Sequence, residues 1–278
     1  MRSLLLSLAL TALPACRQDT SAASLSTHRL RFIATLDGAA ANCKSLAAPP
    51  FRLRDARLFV SELRVIGPDG ETPAAFVPDS RFQSVEVALL DFEDATEGCE
   101  GDSAEHTELV FEAPVSSVRA VTFTVGIPFA LNHQNPALAR APLTAGAMHW
   151  GWRGGYKFVR IEAQRDGVEG RIHLGSTGCE GALHAITSCA HPNRGTVHLE
   201  LDPATQQVAL DLGAFFGSDK GGDKTDCMGE PADPSCHAGY RAIGAAGKEA
   251  ARQSDSLAAN TTNPAMGASA FTVIRRTP

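Results

Sequence analysis

Cysteine is the residue type that most limits how this chain can fold, because the chain contains seven of them. One, Cys16, ends an apolar N-terminal leader. The others are Cys43, Cys99, Cys179, Cys189, Cys227 and Cys236. An even number of cysteines in an exported chain indicates disulfide bonds. Local spacing favours Cys179–Cys189 and Cys227–Cys236, which leaves Cys43–Cys99. No C-x-x-C pair is present, so a thiolate zinc site has little support.

Residues 1–15 are typical of a lipoprotein signal peptide. Arg2 supplies a positive charge, residues 4–13 form an apolar run too short to span a bilayer, and residues 13–16 resemble a lipobox. We therefore expect lipidation of Cys16, a polar tether over residues 16–27, and a periplasmic protein anchored to the outer membrane. The alternative is an ordinary secretory signal with an incidental cysteine.

Apolar residues alternate with polar ones over most of the remaining chain, which predicts β-strands. The expected strands cover residues 28–37, 57–66, 84–92, 118–127, 156–163, 171–174, 197–201, 207–212 and 270–275. Short helices are expected at 136–147 and 240–252. The pattern predicts one all-β domain over residues 28–278, an antiparallel, jelly-roll-like β-sandwich. Residues 217–255 are expected to form a disulfide-pinned, partly helical C-terminal extension.

Several function classes have little support in the sequence. The net charge of −6 makes nucleic acid an unlikely partner, since no basic excess is available to neutralise phosphates. No phosphate-binding glycine loop and no recognisable catalytic constellation is present. Asp219, Asp223 and Asp226 could hold calcium, but they lack the spacing of an EF-hand, and a solvated loop is the simpler interpretation.

Both tryptophans of the chain, Trp150 and Trp152, fall in one short segment. Residues two apart in a strand project to the same face, so the two indoles are expected to be neighbours, either in a core or at a site. Several of the nine histidines lie in loops, among them His133 and His191. Imidazole suits copper and zinc, although most isolated histidines bind no metal.

Five motifs in this order resemble the MbnP-like family. They cover residues 126–136, 148–158, 173–179, 189–194 and 227–236, and the resemblance extends over residues 28–275. Proteins of this family are periplasmic copper-binding proteins associated with methanobactin operons, also known as metallo-mystery pair four-Cys proteins.

The resemblance implies a function that composition does not reveal. Family members are paired with a di-haem cytochrome c peroxidase-like partner, MbnH, which oxidises a tryptophan to kynurenine, and the modified protein binds copper. Carried over by position, Trp152 and Trp150 are the candidates for oxidation, with a slight preference for Trp152. His133, His149 and His173 are the expected copper ligands.

The sequence therefore predicts a lipid-anchored copper-binding protein that is a substrate of its haem partner and not itself an enzyme. The alternative is a non-catalytic β-sandwich lipoprotein that binds carbohydrate or protein through an aromatic platform.

Overall fold

The computed structural model describes residues 24–46, 51–101, 103–216, 226–245 and 270–276. The signal peptide, Cys16, most of the tether, Asp219, Asp223 and the end of the predicted second helix lie outside these ranges. No helix in the described ranges is long and apolar enough to cross a membrane.

The described residues are mostly β-strand, as expected, and form three sheets, one of which curls into a half-barrel. The strands are β1 Ser26–Leu36, β2 Ala39–Ala40, β3 Phe51–Gly67, β4 Gly70–Pro73, β5 Ala75–Phe76, β6 Val87–Asp91, β7 Glu108–Ala113, β8 Ala120–Val125, β9 His149–Gly151, β10 Gly155–Arg165, β11 Val168–Gly175, β12 Thr177–Ala182, β13 Ala185–His191, β14 Gly195–Glu200, β15 Gln206–Asp211, β16 Asp226–Cys227 and β17 Phe271–Arg275.

Helices are few and short. They are α1 Phe129–Asn132, α2 Gly213–Phe216 and α3 His237–Ala242, with 3-10 turns at Pro136–Leu138, Gly146–Met148 and Pro234–Cys236. The helix expected at 136–147 is therefore two separate 3-10 turns, with the segment between them held in part by a hydrogen bond from Tyr156 Oη to the Leu143 carbonyl (2.8 Å).

The strand order is β17-β15-β1-β7-β5 in one sheet and β14-β8-β3-β10-β11-β16 in the larger one, while β12 and β13 form a separate hairpin. Most neighbours are antiparallel, but β1–β15 and β11–β16 are parallel, which corrects the expectation of an antiparallel fold. Alternation of side chains reports burial and carries no information on strand direction.

The long strand β3 organises the larger sheet. Its first half pairs with β10 and its second half with β8, while β6 and β4 occupy its other edge. Leu58 and Val60 belong to the main core, whereas Phe59 belongs to a second core with Met148 and Tyr156. Successive strand residues face opposite sides, so β3 carries a core on each face. The second core holds residues 127–158, which include both tryptophans, against the sheet.

Three disulfides join Cys43 to Cys99, Cys179 to Cys189, and Cys227 to Cys236, which confirms the pairing suggested by spacing. The last two connect β12 to β13 and β16 to the start of α3. Three disulfides suggest a protein of an oxidising, extracytoplasmic compartment.

Candidate metal centre beside the tryptophan pair

Trp150 occupies the middle of β9, and its indole packs on the backbone at two glycines. A Cβ at Gly175 would lie 3.0 Å from Trp150 Cζ3, and one at Gly229 would lie 2.7 Å from Trp150 Cη2. The amide of Asn193 donates to both glycine carbonyls, at 2.8 and 3.1 Å, and so joins β11 to the segment after β16. The absence of side chains at these two positions is what makes room for the indole.

Trp152 lies in the turn after β9 and is 40% exposed. The guanidinium of Arg153 stacks over its ring at 4.9 Å. Both tryptophans line an open cavity of about 530 Å³, together with residues 176–179 and Met228. The indoles thus line one cavity, but not as residues two apart on one strand, because β9 ends before Trp152; Trp150 is packed whereas Trp152 is accessible.

His173, on β11, lies edge-on to Trp150, with 6.4 Å between the ring centres. Its Nε2 is 2.6 Å from Glu162 Oε1, and its Nδ1 is buried without a hydrogen-bond partner. Because the carboxylate can only accept, Nε2 carries the proton and Nδ1 presents its lone pair. A histidine that donates to a carboxylate and keeps the other nitrogen open has the arrangement common to metal ligands.

Glu162 is held as a carboxylate by its surroundings. Burial alone would raise its pKa, but hydrogen bonds from His173 and Arg160 outweigh burial and hold the pKa well below its usual range. Arg160 in turn pairs with the fully buried Asp55 at 3.1 Å, and Asp55 pairs with Arg57. These ion pairs fix the position of Glu162 next to His173.

His133 follows α1 and is buried. Its Nε2 lies 3.3 Å from Cys189 Sγ and 4.0 Å from Cys179 Sγ. Burial lowers the pKa of His133, so the imidazole is neutral at physiological pH. His133, Cys179 and Cys189 form a group whose ligand atoms all lie within 4.8 Å of one another and which could hold a metal ion.

His149 packs against the ring of Tyr156, with 5.1 Å between ring centres. Burial and the nearby charge of Lys157 lower the pKa of His149. Within the described ranges, neither His149 nor His173 belongs to the group around His133. The structure therefore places His133 at the cysteines and His173 at Trp150, and both Cys179 and Trp150 line the cavity.

Other predicted site residues have different surroundings. Asp226 accepts two hydrogen bonds from Arg171, at 3.0 and 2.9 Å, and so is engaged by an arginine. Sequence reasoning did not identify Glu162 or Met228 as site residues. Glu162 is found only when the register of β10 and β11 is known, while Met228 lies in a matched motif and could have been singled out as a soft thioether.

The chain is similar to known proteins over most of its length. The MbnP family model matches residues 26–238. A solved structure, MbnP from Methylosinus trichosporium, is 32% identical over 91% of this chain and 100% of its own length, with a TM-score of 0.74. No curated protein matches the chain. The family match covers more than half of the chain, and the chain belongs to the MbnP family.

Proposed function

We propose that this protein is an exported copper-binding protein in which one tryptophan of the Trp150–Trp152 pair is oxidised to kynurenine by a di-haem peroxidase-like partner of the MbnH type. It is the substrate of that modification and not an enzyme. Family membership supports the proposal, and three disulfides support export.

One observation carries the copper proposal, namely the unpartnered, buried Nδ1 of His173. A buried polar atom without a partner calls for an explanation such as an ion. Its ring meets Trp150 edge-on, so a product of Trp150 oxidation lies beside the His173 ring. A donor set made of imidazoles and a few other neutral groups suits copper better than calcium or magnesium. Copper bound there would supply a soft, redox-active centre. The family resemblance adds His133 and His149 as further proposed ligands; His133 lies at the cysteine pair and His149 lies against Tyr156.

Oxidation changes what the tryptophan can donate. Two molecules of hydrogen peroxide supply one oxygen atom to each carbon of the cleaved indole double bond and leave as water. Hydrolysis then releases formate, and kynurenine remains with an aryl amine and a ketone. An indole N–H has no lone pair to offer, whereas both new groups do. The contact with His173 favours Trp150, because its oxidation product could bind the same copper ion as His173. The exposure of Trp152 favours Trp152, because an external oxidant can reach its ring.

Mass spectrometry of protein co-expressed with the di-haem partner tests the modification. We expect one peptide to lose a carbon and gain an oxygen, and Trp150→Phe or Trp152→Phe to identify the residue. An unchanged mass with an active partner would refute the modification.

Copper titration of the modified and unmodified proteins tests the binding. We expect a copper site in the modified protein that is weaker or lost in the unmodified one. The carbohydrate- or protein-binding alternative predicts no stoichiometric copper and a ligand whose binding is lost in Trp152→Phe.

A further inference from the structure

The group formed by His133, Cys179 and Cys189 is a second donor cluster: it shares His133 with the ligand set proposed above but contains neither His173 nor Trp150. We propose that reduction of the Cys179–Cys189 disulfide converts this cluster into a Cu(I) site with two thiolates and His133 Nε2 as ligands. The site does not depend on kynurenine, so it goes beyond the function proposed above.

The state of the sulfur atoms decides what the cluster can bind. With the sulfurs bonded to each other at 2.04 Å, neither is a thiolate, and the imidazole is the strong donor that remains. After reduction, two thiolate sulfurs can approach His133 Nε2; in the disulfide they lie 3.3 Å (Cys189 Sγ) and 4.0 Å (Cys179 Sγ) from it. Two soft thiolates and one imidazole favour Cu(I) over hard cations such as Ca²⁺ or Mg²⁺.

The hairpin holds the two cysteines together independently of their S–S bond. Cys179 and Cys189 face each other directly across β12 and β13, with Cα atoms 3.8 Å apart. Pairing continues on both sides, from Thr177↔His191 to Ala182↔Ala185. Directly opposed residues in an antiparallel pair share one face, so the reduced thiols remain neighbours. Rotation about the Cα–Cβ bonds can separate the sulfurs to about 4 Å, as metal–sulfur bonds near 2.3 Å require.

The tautomer of His133 suits this role. The Asn132 amide is oriented by Tyr156 N–H, which donates to Oδ1 (2.9 Å), and by its own Nδ2, which donates to the Gly154 carbonyl (3.1 Å). Nδ2 also lies 3.1 Å from His133 Nε2, which therefore accepts this hydrogen bond and carries no proton. A metal ion can replace that contact while Asn132 keeps its other two partners.

This disulfide is also the most accessible of the three. Cys179 lines the open cavity and Cys189 is half-buried, on a hairpin that is mostly exposed. Cys227 and Cys236 are fully buried, and Cys43 and Cys99 are 1% and 9% exposed, so Cys189 is the one cysteine of the six that is not buried. A reductant in solution therefore reaches Cys179–Cys189 first.

Reduction of the disulfide by a phosphine consumes one water molecule. A phosphine reductant gives two electrons to the S–S bond, takes the oxygen atom of one water molecule and becomes a phosphine oxide. The two protons of that water go to the two sulfurs, which become thiols. Binding of Cu(I) then displaces both protons to solvent.

The test uses the full chain expressed without a haem partner, so that it contains no kynurenine. Protein is treated briefly with a phosphine, and peptide mapping after alkylation identifies the reduced pair. Cu(I) is then titrated without oxygen against a chromophoric chelator. We expect one additional equivalent of Cu(I) in the reduced protein, and protection of Cys179 and Cys189 from alkylation by the metal.

Two variants identify the ligands. Cys179→Ser with Cys189→Ser, which keeps both buried disulfides, should lose the additional site while its circular dichroism spectrum stays that of the parent. His133→Ala should weaken Cu(I) binding by about tenfold or more, and the control His191→Ala, an exposed imidazole on the same hairpin, should not. Equal Cu(I) binding before and after reduction, or binding that survives the double serine change, would overturn the proposal. Either result leaves the kynurenine-dependent copper site, measured in oxidised protein, unaffected.

Discussion

The carboxylate of Glu162 gives His173 its chemistry, since it fixes both the proton on Nε2 and the direction of the ring. The contact exists because β10 and β11 pair Arg160 with His173 and Glu162 with Arg171, so the two side chains lie diagonally across the ladder. Replacing the carboxylate with an amide of the same shape removes the charge and so separates its effect on His173 from the effect of packing.

Glu162→Gln should lower copper affinity by about 10–100-fold, the usual effect of losing such a partner of a metal-bound histidine. The amide can donate to Nε2 and so permits the wrong tautomer. Isothermal titration of the modified protein measures the change. Glu169→Gln, an exposed glutamate on the same hairpin, is the matched control and should keep parental affinity. Parental affinity in Glu162→Gln would contradict the role of the carboxylate.

Burial also controls the charge of the Asp91 carboxyl group, which lies at the end of β6 in the same sheet. Desolvation, with repulsion from Glu93, raises the pKa of Asp91 to about 8 despite attraction from Arg57. The folded protein therefore keeps a proton that the unfolded chain releases near pH 4, and stability falls as pH rises from about 4 to about 8.

Asp91→Asn removes this pH dependence, so its stability relative to the parent should rise from pH 5 to pH 8 and level off above. Urea unfolding at pH 5, 7 and 9 measures the difference. Asp79→Asn is the control: backbone N–H groups of Arg81, Phe82 and Gln83 outweigh burial and lower the pKa of Asp79, so its effect should be constant over this range. A constant difference for Asp91→Asn as well would contradict the raised pKa.

The packing of Trp150 depends on two chain segments that are held close together. β11 ends at Gly175, the chain after β16 supplies Gly229, and Asn193 ties the two together. Gly229 has φ +82°, a conformation that costs other residues about 1–2 kcal/mol.

Gly229→Ala should destabilise the protein by more than this backbone cost, because the new methyl group would meet Trp150 at 2.7 Å. Displacement of the indole should also change its fluorescence and weaken copper binding. Gly167→Ala, with the same φ of +82° and nothing within 4 Å, carries the backbone cost alone. Equal effects of the two substitutions would show that the indole does not depend on Gly229.

Most strands with one buried face were predicted, although β7, which alternates buried and more exposed positions, was missed. β8 and β10 follow the alternation of Val, Phe and Ile, since these side chains enter the core. β12 and β13 are largely exposed and carry glycine, serine and alanine, so no apolar period marks them. Their disulfide was nevertheless predicted from its spacing, which reports chain proximity independently of burial.

The candidate site was predictable only as a set of residue types. Trp150, Trp152, His133 and His173 were singled out, but which of them lie together depends on strand register. The pairing of β10 with β11 brings Glu162 to His173, and the hairpin register brings both sulfurs to His133. No local pattern encodes a contact between residues 46 or 56 positions apart.

We propose that lipidation of Cys16, which lies outside the described residues, anchors the whole molecule to a membrane. Burial of each acyl CH₂ contributes about 0.8 kcal/mol, so several chains on one cysteine hold a protein at a membrane surface. Wild-type protein should therefore fractionate with the outer membrane, and Cys16→Ser should move it to the soluble fraction if it is still exported. Copper binding by the folded part should be unchanged, because the tether lies before β1. Soluble wild-type protein with an unmodified Cys16 would contradict lipidation and support the ordinary secretory signal, while leaving the three disulfides and their export requirement intact.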